Sequence, residues 1–457
     1  MFPLTLKEIA GITGGTLRAP GSSSENIITD ITTDSRTAKS GCLFAAIKGE
    51  QTDGHRYIEK AFEAGASAML CEKLPEREDI PAVLVPSTLT ALQKIAAHIR
   101  KVSGIPVVGI AGSVGKTSTK EMTAAVLARK FRLLKTEGNF NNDLGVPLTL
   151  FRLEKEHELA VIEMGISDFG EMHVLADIAR PDVCIMTNIG DCHLEFLHDR
   201  DGVWKAKSEM FDFLDEKGVI ILNGDDAHLG RASDIHGIKP VFYGLSDRFD
   251  VYADDIEPVA GRGSWCTVHT KGESERVFVP SPGEHMVYNA LAGAAAGLSF
   301  GMTLQQICEG IASYETISGR FNIIDTGYLT IIDDCYNANP MSMKAGLSAL
   351  SEYEGRKVAV VGDMAELGPT AEELHRQVGE HAASLPLSLL VCIGPLSQNI
   401  ALGAKGGAFT VLHFPDKENF ITEIPGLLQK GDTVLVKASH SMEFPAIVEK
   451  LVSTQLA

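Results

Sequence analysis

A chain of 457 residues is too long for one hydrophobic core and fits about three domains. With 44% hydrophobic and 22% charged residues it has the composition of a globular protein, and a formal net charge of −19 with no Lys/Arg-rich block argues against nucleic acid or an anionic membrane as partner. The eight cysteines form no C-x-x-C pair, Cys184 and Cys192 match no standard zinc spacing, and no stretch reads as a signal peptide or a membrane span, so reduced thiols and a cytoplasmic location are expected.

The first region, residues 1–103, reads as a small α/β unit. A helix is expected over Leu6–Ile12, strands over Ile27–Thr32 and Cys42–Ile47, a helix over Tyr57–Ala64 and a short strand over Ala66–Leu70. Two polar segments follow strands in this region, Asp34-Ser35-Arg36 and the stretch from Lys48 to His55. Strand ends are where ligand contacts concentrate, although Asp, Ser and Gly are also what ordinary turns use.

Near residue 104 the pattern changes to buried strands alternating with helices. Pro106–Ala111 is an apolar run, Gly112-Ser113-Val114-Gly115-Lys116-Thr117-Ser118 follows it, and from Lys120 to Phe131 the residues Met122, Ala125 and Val126 fall on one helical face. Strand, glycine turn and helix is the order that cradles phosphate: backbone N–H groups and the helix N-terminus face the anion, Lys116 reaches the outer phosphates and the Thr117 hydroxyl can hold Mg²⁺. The general P-loop pattern would place its first glycine where this chain has Ile110, so the heptapeptide alone also fits an ordinary strand-to-helix turn.

Further strands are expected at Leu159–Met164, Val183–Thr187 and Val219–Leu222, the spacing of a doubly wound parallel sheet. Ligands in such sheets bind beyond the carboxyl ends of the strands, where this chain puts Lys116 and Thr117, then Glu163, then Asn188 to His193. Glu163 ends an otherwise apolar strand, a costly position for a carboxylate unless it faces a cation or solvent. His193 could hold a metal or orient a phosphate, and Lys207 lies on an expected helix where most lysines are simply solvated. From about Gly319, strands at Leu329–Ile332, Val358–Val361, Leu389–Ile393 and Thr433–Val436 make a smaller Rossmann-like unit, with Asp333–Pro340 and Gly362–Gly368 after its first two strands.

The motifs Gly112–Ser118, Gly138–Pro147, Glu163-Met164-Gly165, His193-Leu194-Glu195, Tyr288–Ala292, Gly319-Arg320 and Asp334–Pro340 occur in the order found in the Mur ligases, and the chain resembles that family from Asp34 to Met442. The resemblance implies three domains: residues 1–103 for the UDP-sugar, 104–317 for ATP on a P-loop sheet, and 318–457, a Rossmann-like ligase domain that closes over the nucleotide. It implies ATP, two Mg²⁺ ions, and an acyl phosphate formed on a UDP-linked peptide and displaced by an incoming amine. Lys116, Glu163, His193 and Lys207 would be catalytic, with Thr117, Glu163 and His193 holding metal and Lys207 carbamylated by CO₂. Gly112, Ser113, Val114, Gly115, Thr117, Ser118, Asn289, Arg320 and Asp334 would bind nucleotide, with His285 nearby. Asp34, Ser35, Arg36, Lys48, His55, Asn139 and Asn142 would bind substrate.

Within the family, the stretches Asn139–Asn142 and Asp334–Pro340 favour a member that adds D-alanyl-D-alanine to UDP-N-acetylmuramoyl-tripeptide as a monomeric cytoplasmic enzyme. The Asp-Asn-Pro-Arg string of members that add a diamino acid is absent, since Met341 follows Asn339-Pro340. A sister ligase adding one amino acid and a folylpolyglutamate synthase-like ligase are the alternatives. The family often has His-Asn at His285-Met286, and arginine at His440.

Overall fold

The computed structural model describes residues 1–49 and 52–454; Glu50 and Gln51, within the Lys48–His55 segment, lie outside the described residues. The expected mixed α/β architecture is present as three principal sheets, one in each region read from the sequence.

In the first region five strands lie in the order 16–18, 82–84, 68–71, 42–45, 30–32, with only the first antiparallel to its neighbour. The strand expected over Ile27–Thr32 is split. Ile27–Ile28 pairs antiparallel with Leu4–Thr5, and Asp30–Thr32 joins the larger sheet beside Cys42–Ala45. Helix Thr88–Ser103 closes the region, ends at Gly104 in the left-handed conformation (φ 63°), and packs on helices Gly145–Leu150 and Glu171–Ala179 of the next region. Arg100 locks that junction: its Nε donates to the Ala179 carbonyl (2.9 Å) and its Nη2 to Asp182 Oδ2 (2.8 Å). One core therefore runs from Leu6 and Ile95 to Ile162 and Leu222 without a break between the two regions.

The central sheet has nine strands in the order 273–279, 263–270, 251–259, 241–244, 219–223, 183–186, 107–111, 159–163, 133–135. Val107–Ala111 sits between Val183–Met186 and Leu159–Glu163, parallel to both, and all five of its residues are buried. Val107 and Ala111 face one core while Val108 and Ile110 face the other, as the two-residue period of a strand requires. The expected strands here were found within a residue or so. The antiparallel meander over 251–279 was not expected, because its buried residues (Val251, Ala253, Cys266, Val268, Val277, Val279) alternate with polar ones and never form an apolar run.

Helix Lys116–Leu127 begins four residues before the expected start, directly after Gly115 at φ 79°. Its first turn is polar because it faces the ligand side, which hid it from a hydrophobic-period reading. It packs on helix Glu284–Ser299, whose small residues permit the approach: a Cβ on Gly297 would stand 3.1 Å from Val126 Cγ1. The third sheet runs 322–325, 330–333, 433–437, 357–362, 389–393, 410–414, parallel except for its first pair, with a separate core on each face.

Candidate active site

A cleft of about 550 Å³ opens beyond the carboxyl ends of the central strands, and the third sheet unit forms its opposite wall. Its floor is the Gly112–Ser118 turn. Ser113 N–H donates to the Asn188 carbonyl (3.0 Å), Val114 N–H to Asn188 Oδ1 (2.9 Å), and Thr187 Oγ1 to the Val114 carbonyl (2.6 Å). Gly112 has φ 149°, and a Cβ there would fall 1.9 Å from Thr187 Oγ1. Gly112→Ala should therefore cost about 1–3 kcal/mol from overpacking with backbone strain in addition, read as a lower urea midpoint and a loss of nucleotide affinity.

Lys116 Nζ donates back to the Gly112 carbonyl at 3.0 Å, a resting contact that a phosphate oxygen could replace. Burial pulls Lys116 below its ordinary value, opposed by the Glu163 charge. Glu163 is 1% exposed. Its Oε1 accepts from Thr117 Oγ1 (3.2 Å) and Asn141 Nδ2 (2.8 Å), and its backbone N–H donates to Thr136 Oγ1 (3.0 Å). Its other oxygen, Oε2, is buried with no hydrogen bond among the described residues. A desolvated bare carboxylate oxygen beside a threonine hydroxyl fits a hard divalent cation. Mg²⁺ takes few protein ligands and completes its shell with phosphate and water.

His193 lines the same cleft with its backbone at φ 52°, and its Nδ1 lies 2.5 Å from Glu366 Oε2 of the third sheet unit. This contact holds the Glu366 carboxyl below its ordinary value. Lys207, on helix Arg200–Ser208, is 1% exposed. Burial, reinforced by the like charge of Lys116, pulls it down to about 8.

Asn289 accepts from Thr119 Oγ1 at 2.9 Å, tying helix Glu284–Ser299 to the P-loop helix. Across the cleft the Arg320 guanidinium lies 3.7 Å from the Tyr336 ring centroid, and Asp334 Oδ2 accepts from Lys437 Nζ (2.7 Å). The nucleotide-side residues expected from the sequence are thus brought together, with the exception of Gly112, which supports the floor from behind.

The expected substrate residues are distributed differently. Asn142 lines the cleft, where its Oδ1 caps helix Gly145–Leu150 (Gly145 N–H, 2.8 Å), and Asn139 is exposed outside it. Asn141, between them, is the one bonded to Glu163, and sequence reasoning missed it. Asp34, Ser35, Arg36, Lys48 and His55 are not among the residues that line the cleft. Arg36 pairs with Asp34 (2.7 Å), whose carboxyl it holds down at about 2. His55 accepts from Glu72 N–H through Nε2 (2.9 Å) and meets Asp53 Oδ1 through Nδ1 (2.7 Å), so both ring nitrogens already have partners. Lys437 and Glu366 were also missed: Lys437 ends the buried strand 433–437, and Glu366 stands in the polar segment after strand 357–362.

A glycine turn at a helix N-terminus, a bare buried carboxylate and a facing wall of cations define a multidomain P-loop protein that handles nucleotide between two sheets. Models of the Mur ligase family, catalytic domain (residues 27–111), the Mur ligase middle domain (110–297) and the Mur ligase, glutamate ligase domain (319–440) match the chain. It is 37% identical over the full length of both chains to the UDP-N-acetylmuramoyl-tripeptide–D-alanyl-D-alanine ligase of Bacillus subtilis. Among solved structures it resembles MurF from Acinetobacter baumannii (32% identity, 99% of each chain, TM-score 0.89) and the MurF ligase of Thermotoga maritima in complex with ADP (29%, 93% and 97%, 0.82). The chain belongs to the Mur ligase family.

Proposed function

We propose that the protein is an ATP-dependent, ADP-forming ligase that joins D-alanyl-D-alanine to UDP-N-acetylmuramoyl-tripeptide, the last cytoplasmic step in building the peptidoglycan pentapeptide precursor. The observation that carries this reading is the convergence of the P-loop, Glu163, His193 and the Arg320–Lys437 wall on one cleft, in a chain that matches full-length ligases of that name from end to end.

A carboxylate becomes an acylating agent only when one of its oxygens is made a leaving group. In the first step a terminal carboxylate oxygen of the tripeptide bonds to the γ-phosphorus of ATP as the β,γ-bridging bond breaks and ADP leaves. In the second, the dipeptide amine bonds to the acyl carbon, inorganic phosphate departs, and the amine proton passes to solvent. Lys116 Nζ and the backbone N–H groups of Gly115, Lys116 and Thr117 at the start of the helix neutralise and orient the phosphates. Arg320 adds positive charge from the opposite wall, and Asp334, held by Lys437, offers an acceptor to ribose. Thr117 and Glu163 would hold one Mg²⁺ and His193, with a carbamylated Lys207, would help hold a second. Divalent metal supplies charge neutralisation on the transferring phosphoryl group. Residues 1–103 would bind the UDP-sugar, 104–317 the ATP, and 318–457 the incoming dipeptide, with the chain acting as a monomer.

Phosphate release from ATP with UDP-N-acetylmuramoyl-tripeptide, with and without D-alanyl-D-alanine, tests the reading while mass spectrometry follows the product. Release should require the dipeptide and yield a UDP-linked pentapeptide. Turnover with a single free amino acid and none with the dipeptide would reassign the chain to a sister ligase.

A further inference from the structure

Lys120 is a fully buried charge to which the reaction above gives no part. It lies on the P-loop helix Lys116–Leu127, four residues after Lys116 and three after Thr117, about one turn further from the phosphate cradle. Its Nζ donates to the Thr136 carbonyl at 2.6 Å and meets Glu121 Oε1 at 2.9 Å. Neighbouring helix residues do not ordinarily face each other; this pair meets because both side chains reach the end of strand Leu133–Lys135, where the second Glu121 oxygen pairs with Lys135. Two successive residues of the helix thus grip two successive residues at the strand end. Burial alone would raise the Glu121 carboxyl, and the two lysines outweigh it and hold the carboxyl below its ordinary value.

Thr136 passes the grip on. It is fully buried, its N–H donates to the Val161 carbonyl (3.0 Å), and its Oγ1 accepts the Glu163 N–H (3.0 Å). Glu163 in turn accepts from Thr117 Oγ1, back on the helix that carries Lys120 (3.2 Å). The result is a closed circuit of hydrogen bonds, with Thr117 and Lys120 on the helix and Glu163 and Thr136 at the ends of two adjacent parallel strands. Beyond Thr136 the chain runs to Asn141, whose Nδ2 donates to Glu163 Oε1 (2.8 Å) and whose carbonyl accepts the Gly165 N–H (2.8 Å).

Packing alone does not call for a cation at Lys120. Apolar side chains of similar volume in place of a buried charge cluster are often neutral or stabilising. What the ammonium adds is a short, charge-assisted hydrogen bond, about twice as strong as a neutral one, onto one particular carbonyl.

We propose that Lys120 is a positioning residue: through Thr136 it fixes the end of strand Leu159–Glu163 against the P-loop helix, so that the Glu163 carboxylate is presented to the Thr117 hydroxyl. The consequence for metal rests on the reading of Thr117 and Glu163 given above; the hold on the strand end does not.

Amide hydrogen exchange resolved at Glu163 in the full-length, metal-free protein reports the hold on the strand end. Manganese titration followed by electron paramagnetic resonance, with a non-hydrolysable ATP analogue present, reports metal affinity. Lys120→Met leaves Glu121 paired with Lys135 and should melt within a few degrees of the native protein, while the Glu163 amide exchanges about tenfold faster and Mn²⁺ affinity falls about 10–100-fold. Thr136→Val keeps the carbonyl that Lys120 holds but removes the acceptor of the Glu163 N–H, and should reproduce both losses. In a Glu163→Ala background, Lys120→Met should cost no further Mn²⁺ affinity. Unchanged exchange at Glu163 in a folded Lys120→Met would overturn the proposal, as would Mn²⁺ loss of equal size with and without Glu163. If Lys120→Met does not fold, Thr136→Val decides, and native exchange and Mn²⁺ affinity in that variant overturn the proposal. If Glu163→Ala leaves Mn²⁺ binding intact, the metal role of Glu163 fails, and the exchange measurement decides the role of Lys120 by itself.

Discussion

Glu163→Ala will reduce ATP-dependent phosphate release by about 10²–10³-fold or more while the folded protein becomes no less stable. The two halves of this expectation have one cause. A carboxylate that is 1% exposed with one oxygen bare pays a desolvation penalty that two donors on the other oxygen only partly offset, so the residue is held for its ligand rather than for the fold. Its removal strips the P-loop of the negative charge that would anchor a cation between Thr117 and the phosphates. Lys116→Ala should match it in activity, since Lys116 neutralises the same phosphates from the other side. Glu163→Gln separates charge from shape: an amide oxygen can still accept from Thr117 and Asn141, so the loop should keep its form while activity stays low. The melting temperature with and without Mg-ADP reads the difference. At ligand concentrations 100 times Kd the native protein should gain about 2.7 kcal/mol from binding, and both variants should lose most of that increment. Near-normal turnover in either Glu163 variant would remove Glu163 from the chemistry.

What could be read from the chain before folding follows from which physical signal each part carries. Val107–Ala111 is buried on both faces and announces itself as an apolar run, so its position and the cradle after it were legible. The strands over 251–279 bury only one face, and their alternation is diluted by acidic and aromatic residues on the other, so no window stood out. Within Asn139–Asn142 a loop has no period to say which amide turns inward. The sequence points to Asn139 and Asn142, and the structure gives the Glu163 contact to Asn141. Glu366 was hidden for a different reason, because its partner is more than 170 residues away in another sheet unit and only tertiary packing brings the two together. Arg36 pairs with Asp34, and His55 with Asp53 and the Glu72 N–H, local contacts that the turn chemistry of their sequences allowed.

Lys207→Met will raise stability near pH 7 and abolish activity, the opposite of what a packing lysine would do. Burial and the nearby Lys116 charge hold its ammonium down at about 8 against an ordinary 10.5, which corresponds to roughly 3 kcal/mol of unfavourable burial in the charged form. Below pH 8 both folded and unfolded chains carry that proton and the whole cost is present. Between about 8 and 10.5 the unfolded chain binds more protons than the folded one, so the unmodified protein gains stability as pH rises through this window and levels off above it. Methionine, similar in length and uncharged, should therefore stabilise by roughly 1–3 kcal/mol at pH 7, with the advantage fading by pH 10.5. The same depressed value leaves about half of the amine neutral at pH 8, the form that can bond to CO₂ and release a proton to become a carbamate. A carbamate would replace a repulsive neighbour of Lys116 with an attractive one. Bicarbonate should then raise the melting temperature and the activity of the native protein and change neither in Lys207→Met. If bicarbonate acts alike on both proteins, or if the methionine variant melts lower at pH 7, Lys207 is an ordinary buried lysine and the second cation must be held without it.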